Sequence, residues 1–191
     1  LEALAGLGAA VEYVRSDLAD LASHADAVGR IESRFGRIDC LVNNAGMGAV
    51  KRADFLELLP ENFDAVLATN LRGTVFFTQA VAKVMLAQPV EGPRAIITIG
   101  SVSATMSSPE RLDYCMSKAA VASFSKGLAL RLADTGISVF EVRPGIIRSD
   151  MTAGVSDKYD RQIGEGLVPL KRWGEPEDIG TIVAALASGA F

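Results

Sequence analysis

At 191 residues, 49% apolar and 22% charged, with 18 glycines, the chain has the size and composition of one soluble α/β domain with a substantial core. Its net charge of −4 gives no support to a nucleic-acid or anionic-membrane role. Cys40 and Cys115 lack metal-ligand spacing and read as free, buried thiols of a reducing compartment, and a single histidine, His24, argues against a metal site or a histidine-based hydrolytic triad. No apolar run reaches membrane-span length and no charged-then-apolar leader precedes Leu1, so the expected location is the cytoplasm.

Leu1 to Gly8 reads as the tail of a helix, with Leu1, Leu4 and Leu7 at helical spacing. Ala10 to Val14 reads as a short strand running into Arg15-Ser16-Asp17-Leu18. Residues 20–36 form an amphipathic helix whose Ala27, Val28, Ile31 and Phe35 face inward and which Gly36 stops. Arg37 to Val42 is a continuous apolar strand, as expected when helices cover both faces of a sheet. It leads into the small-residue turn Asn43-Asn44-Ala45-Gly46, where another group can approach the backbone and asparagine can tie down strand ends or a ligand. Turn chemistry alone leaves a purely structural role open. Residues 47–60 read as a polar loop with a short helix ending near Pro60. Glu61 to Gln88 is helical, with Asn70 in its interior and Gly73 three residues on, a locally unfavourable pair for helix. Such a conflict is expected where a site is being built, or at a kink.

Ser101 follows the apolar run Ala95 to Ile99, and after a polar loop a helix opens with Tyr114 and Lys118 four residues apart. That spacing puts phenol and ammonium on one helix face. A phenol, with a reference pKa of about 10, carries protons poorly at neutral pH; a cation beside it favours the phenolate and equips it for acid/base work. A serine hydroxyl at the strand end could then hold the oxygen of a carbonyl or alcohol. On spacing alone the Tyr-x-x-x-Lys pair is also simply a helix-surface pair. Glu110, Arg111 and Asp113 are expected at the mouth of the pocket, solvated or salt-bridged. Helices 61–88 and 114–133 are apolar nearly all round, so each should meet the sheet on one side and a partner subunit, or a further segment of chain, on the other.

Gly136 to Val142 is another strand, and Pro144-Gly145 turns abruptly at its carboxyl end, where open α/β sheets bind ligands. Residues 152–170 are Gly-rich, polar and weakly periodic, as a mobile substrate lid or an ordinary surface excursion would be. A turn at Arg172 to Asp178 leads into a helix over 176–188, with Pro176 near its first position. Strand and helix alternate throughout, which predicts a three-layer, Rossmann-like α/β fold with a parallel sheet between helices.

Taken in order, Asp17-Leu18 after a strand, Asn43-Asn44-Ala45-Gly46, Asn70, Ser101 with Tyr114 and Lys118, and Pro144-Gly145 resemble the short-chain dehydrogenase/reductase family. Within it, the wording around Ile97-Thr98-Ile99-Gly100-Ser101-Val102 and Arg143-Pro144-Gly145-Ile146-Ile147 is most like bacterial 3-oxoacyl-(acyl-carrier-protein) reductases and close relatives. The resemblance implies NAD- or NADP-dependent interconversion of a ketone and a secondary alcohol, on a small-molecule or acyl-carrier substrate, by a homo-oligomer (dimer or tetramer) formed through helices 61–88 and 114–133. It implies that Tyr114 is the proton donor, that Lys118 favours its phenolate and holds the nicotinamide ribose, that Ser101 orients the carbonyl, and that Asn70 holds a water linking Lys118 to solvent. Asp17 and Leu18 would contact the adenine, and Asn43, Ala45 and Gly46 would line the adenosine-ribose and nicotinamide side. The backbone after Pro144-Gly145, chiefly Ile147, would grip the carboxamide, and Ser149 keeps a hydroxyl for a phosphate or carboxamide contact.

The family's Gly-rich phosphate loop and its last strand have no counterpart in these residues, and in the family's sheet order two strands would lie between the strand at 10–14 and that at 37–42. The expectation is one Rossmann-like oxidoreductase domain over 1–191 that is an excerpt of a longer chain. The rival readings are a non-catalytic dinucleotide-binding relative and a nucleotide-sugar epimerase or dehydratase, which shares the Tyr-x-x-x-Lys pair.

Overall fold

In the computed structural model, which describes Gly6 and residues 8–191, Asp20 accepts the Ala22 N–H at 3.1 Å and starts a 3-10 turn (Leu21–Ser23) that continues as α1 (His24–Phe35). Gly36 ends α1 at φ 78°, a left-handed conformation in which its N–H reaches the Glu32 carbonyl at 2.7 Å. Ala27 and Val28 face the core, whereas Phe35 is exposed beneath the Arg34 guanidinium, 5.3 Å from its ring centre.

Three parallel strands, β1 (Cys40–Asn43), β2 (Ala95–Ile99) and β3 (Ser138–Val142), form one sheet in the order β1-β2-β3. The first crossover holds α2 (Pro60–Leu67), a π-helical segment (Ala68–Gly73) and α3 (Thr74–Ala87), and the second holds α4 (Leu112–Leu132). Leu41, Ile96 and Val139 lie in register across the sheet. They pack with Val28 of α1, Val81 and Met85 of α3 and Leu132 of α4. After β3 come α5 (Asp150–Ala153), α6 (Ser156–Gly164) and α7 (Pro176–Ala187), the last of which lies against β2. Ile96 and Ile97, which point to opposite faces, are both fully buried, as a central parallel strand requires. Arg94, buried at the foot of β2, donates to the Met85 carbonyl at 2.6 Å and to the Thr135 carbonyl, tying the ends of α3 and α4 together.

Several boundaries differ from the sequence reading. Residues 10–14 form no strand: a strand exists only as part of a ladder, and no described segment pairs with this one, whose Val11 and Tyr13 are exposed. The helical tail expected at Leu1, Leu4 and Leu7 lies outside the described residues. β1 starts at Cys40 rather than Arg37, because the Gln88 side chain substitutes for a strand at Ile38, accepting its N–H at 2.6 Å and donating to its carbonyl at 2.8 Å. Pro60 opens α2 instead of closing a helix, since proline fits the first turn, where its absent N–H would be unpaired anyway. The stretch over 152–170, expected as a lid or surface excursion, is largely helical as far as Gly164 and is anchored. Ile163 is buried, and Trp173 donates to Asp160 at 2.7 Å and meets Tyr159 edge-on.

Gly73 closes the π-helical segment at a point where a side chain would overlap the Leu18 carbonyl. Gly73→Ala is therefore expected to destabilise by about 1–3 kcal/mol through overpacking against backbone. Gly29→Ala in α1, where a methyl meets open space, should instead gain about 0.5–1 kcal/mol of helix stability. Thermal and denaturant unfolding of the two variants check the contrast.

Candidate active site

The carboxyl ends of the strands carry the chemistry. Beyond Ile99 the chain passes Gly100 to Ser101, whose extended backbone caps a 3-10 turn (Val102–Ala104); its hydroxyl oxygen accepts the Ser103 N–H at 3.0 Å. The Val102 N–H donates to the Pro144 carbonyl at 3.0 Å, joining this loop to the turn after β3. A second 3-10 turn (Pro109–Arg111) feeds α4. Tyr114 and Lys118 lie on its inner face, 8% and 9% exposed, so they are not a helix-surface pair. The Lys118 ammonium lies 5.9 Å from the Tyr114 ring centre and the Arg111 guanidinium 5.3 Å from it. Lys118 donates to the Ile99 carbonyl at 2.9 Å, which fixes the cation beside Ser101. Burial pushes the Lys118 ammonium below its ordinary pKa, against the opposing pull of the Glu141 carboxylate.

Asn70 lies in the π-helical segment, where the widened turn turns its side chain toward the turn after β1. Its Oδ1 accepts the Met47 N–H at 2.8 Å, and its Nδ2 donates to the Met47 carbonyl at 2.8 Å and to the Ser117 hydroxyl at 3.1 Å. One buried amide thus joins the β1 loop to α4. Gly46 faces the same point: a methyl there would lie 3.1 Å from the Asn70 Oδ1 and 3.9 Å from the Lys118 Nζ. Asn70, Gly46 and Lys118 therefore meet at one point beyond the strand ends, with Tyr114 one turn earlier on α4 and Ser101 two residues past the carbonyl that holds Lys118.

The remaining expected residues divide by what already occupies them. The Asn43 side chain donates to Thr78 at 2.8 Å and Thr98 at 3.3 Å, so it ties the sheet to α3. Asp17 accepts the Ala19 N–H at 2.9 Å, and the Leu18 carbonyl pairs with the His24 ring at 3.0 Å while packing on Gly73. This seat couples the Asp17-Leu18 turn to the helix carrying Asn70. Gly145 presents open space, as a backbone approached by a ligand needs, and the Pro144 carbonyl holds Val102. The Ile147 carbonyl accepts from Thr152 at 2.9 Å, and Ser149 caps α5 in a reciprocal box with Thr152, so both have structural duties as well. The open backbone at Gly145, with a buried lysine that uses one of its three donors within the described chain, fits a polyhydroxylated, amide-bearing ligand.

Two residues here escaped the sequence reading. Asp113, expected to be solvated or salt-bridged, is 1% exposed and accepts the Tyr114 N–H at 2.7 Å, holding the first turn of α4. Glu110 does behave as expected, in an exposed ion pair with Lys158 at 3.2 Å. Glu141, in the middle of β3, lies close enough to act on Lys118. The available signal was a lone carboxylate in the otherwise apolar run Val139-Phe140-Glu141-Val142.

A parallel sheet with a fully buried central strand, helices packed against it, and a buried tyrosine–lysine pair, a serine and an asparagine beyond its carboxyl ends define an open α/β protein. The chain belongs to the short-chain dehydrogenase/reductase family; the matching family model, described as enoyl-(acyl carrier protein) reductase, covers residues 1–191. It is 39% identical over 163 residues to a 3-oxoacyl-(acyl-carrier-protein) reductase of Staphylococcus epidermidis, a match covering 85% of this chain and 64% of that protein. The chain thus spans less than two thirds of that relative. Among solved structures, a Brucella melitensis 3-oxoacyl-(acyl-carrier protein) reductase in complex with NAD matches with 62% identity and a TM-score of 0.98, covering 100% of this chain and 76% of that one. A Burkholderia cenocepacia gluconate 5-dehydrogenase in complex with NADP and tartrate matches at 30% identity and a TM-score of 0.90, covering 99% of this chain and 72% of that one.

Proposed function

We propose that the protein interconverts a ketone and a secondary alcohol with NAD or NADP, and that its substrates are 3-oxoacyl groups, free or on an acyl-carrier protein. The observation that carries this reading is the Tyr114–Lys118 pair, buried on the inner face of α4 with the ammonium anchored on the Ile99 carbonyl two residues from Ser101. When bound, the dinucleotide supplies or accepts the hydride. Lys118, with Asp17, Leu18, Asn43, Ala45, Gly46, Pro144, Gly145, Ile147 and Ser149, would hold it. Ser101 donates a hydrogen bond to the substrate oxygen and orients the carbonyl. Tyr114 gives that oxygen its proton in reduction and takes it back in oxidation. Lys118 stabilises the phenolate left behind, and Asn70 keeps a water in reach of Lys118 for reprotonation.

No helix among the described residues is long and apolar enough to cross a membrane. The reading places the protein in the cytoplasm, with residues 1–191 as an excerpt of a longer chain with one Rossmann-like domain, and as a dimer or tetramer formed through the helices over 61–88 and 114–133. There Phe76, Met116 and Leu130 are exposed, the last at 82%. The test is turnover of NADH and NADPH by the full chain against 3-oxoacyl thioesters, sugars and small cyclic ketones. Fast oxidation with the thioester supports the reading, and dinucleotide binding without turnover of any ketone overturns it in favour of a non-catalytic relative.

A further inference from the structure

Asn43, Thr98 and Glu141 lie in register across the three strands, on the face that α3 and α4 cover. The first two are short, neutral and bonded to each other. The third is a carboxylate whose side chain is 12% exposed. Its Oε2 pairs with the Arg143 guanidinium at 2.8 Å, and its Oε1 is buried with no hydrogen-bond partner in the protein. The side chain lies against Gly100: a methyl at Gly100 would be 2.5 Å from Oε1 and 3.2 Å from Cγ. The Ile99–Gly100 peptide is the unit whose carbonyl accepts from Lys118 at 2.9 Å. Carboxylate and ammonium therefore flank one peptide unit, with Gly100 providing the room for their approach.

A buried carboxylate oxygen without a donor is costly, and packing alone would favour an apolar residue at this strand position. We infer that Glu141 is a positioning residue that sets the charge state of the Lys118–Tyr114 pair from behind the Ile99–Gly100 peptide, with Arg143 as its counterweight. This rests on the acid/base reading of that pair proposed above. Burial works against the Lys118 charge, and Glu141 supplies a compensating anion. Arg143, partly exposed, neutralises part of that anion and so moderates it. The other charged groups at the pair are Arg111 over the Tyr114 ring and Asp113 at its N–H, and the substitutions below leave both in place.

The two partners of the ion pair should act in opposite senses. Glu141→Gln removes the anion and keeps the shape, so the Lys118 titration and the pH profile of ketone reduction should both move to lower pH. Arg143→Gln frees the anion, so both should move to higher pH, and the double variant should fall between Glu141→Gln and the parent. Lys118 is followed by NMR of labelled lysine side chains in the full chain without substrate, assigned by its loss in Lys118→Met. A merely structural ion pair predicts similar losses of stability in both single variants and no movement of the Lys118 titration. An unmoved titration in Glu141→Gln, or shifts of the same sign in both single variants, overturns the inference. Failure of the functional reading is separately visible as absent turnover in the parent, whatever the lysine does.

Discussion

Replacing Tyr114 with phenylalanine is expected to lower kcat/KM for ketone reduction by about 10²–10⁴-fold, the usual contribution of a positioned general acid. The substitution deletes one oxygen and keeps the ring, whose centre lies 5.3 Å from the Arg111 guanidinium and 5.9 Å from the Lys118 ammonium. Those cation–ring contacts and the burial of the ring survive in phenylalanine. The unfolding midpoint and the affinity for the dinucleotide should therefore hold while the chemical step collapses. A deuterated hydride donor sharpens the measurement, because the surviving rate should be limited by chemistry and show a full isotope effect. Parent-like reduction by this variant would sink the assignment of Tyr114 as the acid. A parallel loss of fold would mean that the hydroxyl serves structure instead.

The layered fold was legible because its signal is periodic. Apolar runs such as Ala95 to Ile99 and long apolar helices can bury their surface only as a parallel sheet between helices. The meeting of Tyr114 with Lys118 was legible for the same reason, since a spacing of four on a helix is geometry that sequence carries directly. Asn70 showed itself as a local conflict, and the structure resolves that conflict as a π-helical segment pinned by three side-chain hydrogen bonds. What could not be read depends on partners distant in sequence. Gly73 looks like a weak point in a helix until Leu18 is found against it, 55 positions away by residue number. The burial of Asp113 and Glu141 is invisible to composition: their bonded partners, Tyr114 and Arg143, are local, and what packs over Glu141 is the distant Gly100. The segment 10–14 has strand-forming residues but takes no ladder partner, so propensity alone misleads there.

Lys118→Met separates function from stability at this site. Lys118 is 9% exposed, and burial holds its pKa below the ordinary value of 10.5 even with Glu141 pulling the other way. Between the folded pKa and 10.5 the unfolded chain keeps a proton that the folded chain has released. The unfolded state then binds more protons, and stability rises with pH across that window. Below the folded pKa both states are charged, and the fold bears the full cost of burying the ion. Methionine fills a similar volume without charge, at the loss of one hydrogen bond to the Ile99 carbonyl, a net contribution of about 1 kcal/mol. At neutral pH the variant is accordingly expected to unfold at or above the parent's midpoint, with its advantage shrinking as pH rises toward 10.5. Turnover should nevertheless fall by at least about 10²-fold, because the proton donor loses the cation that stabilises its phenolate. Arginine should not rescue it, since a planar guanidinium cannot occupy the place of an ammonium that donates along one axis to a single carbonyl. A variant markedly less stable than the parent at neutral pH would show that Lys118 earns its place as a structural ion; one that is stable and inactive would show a charge kept in the core for its chemistry.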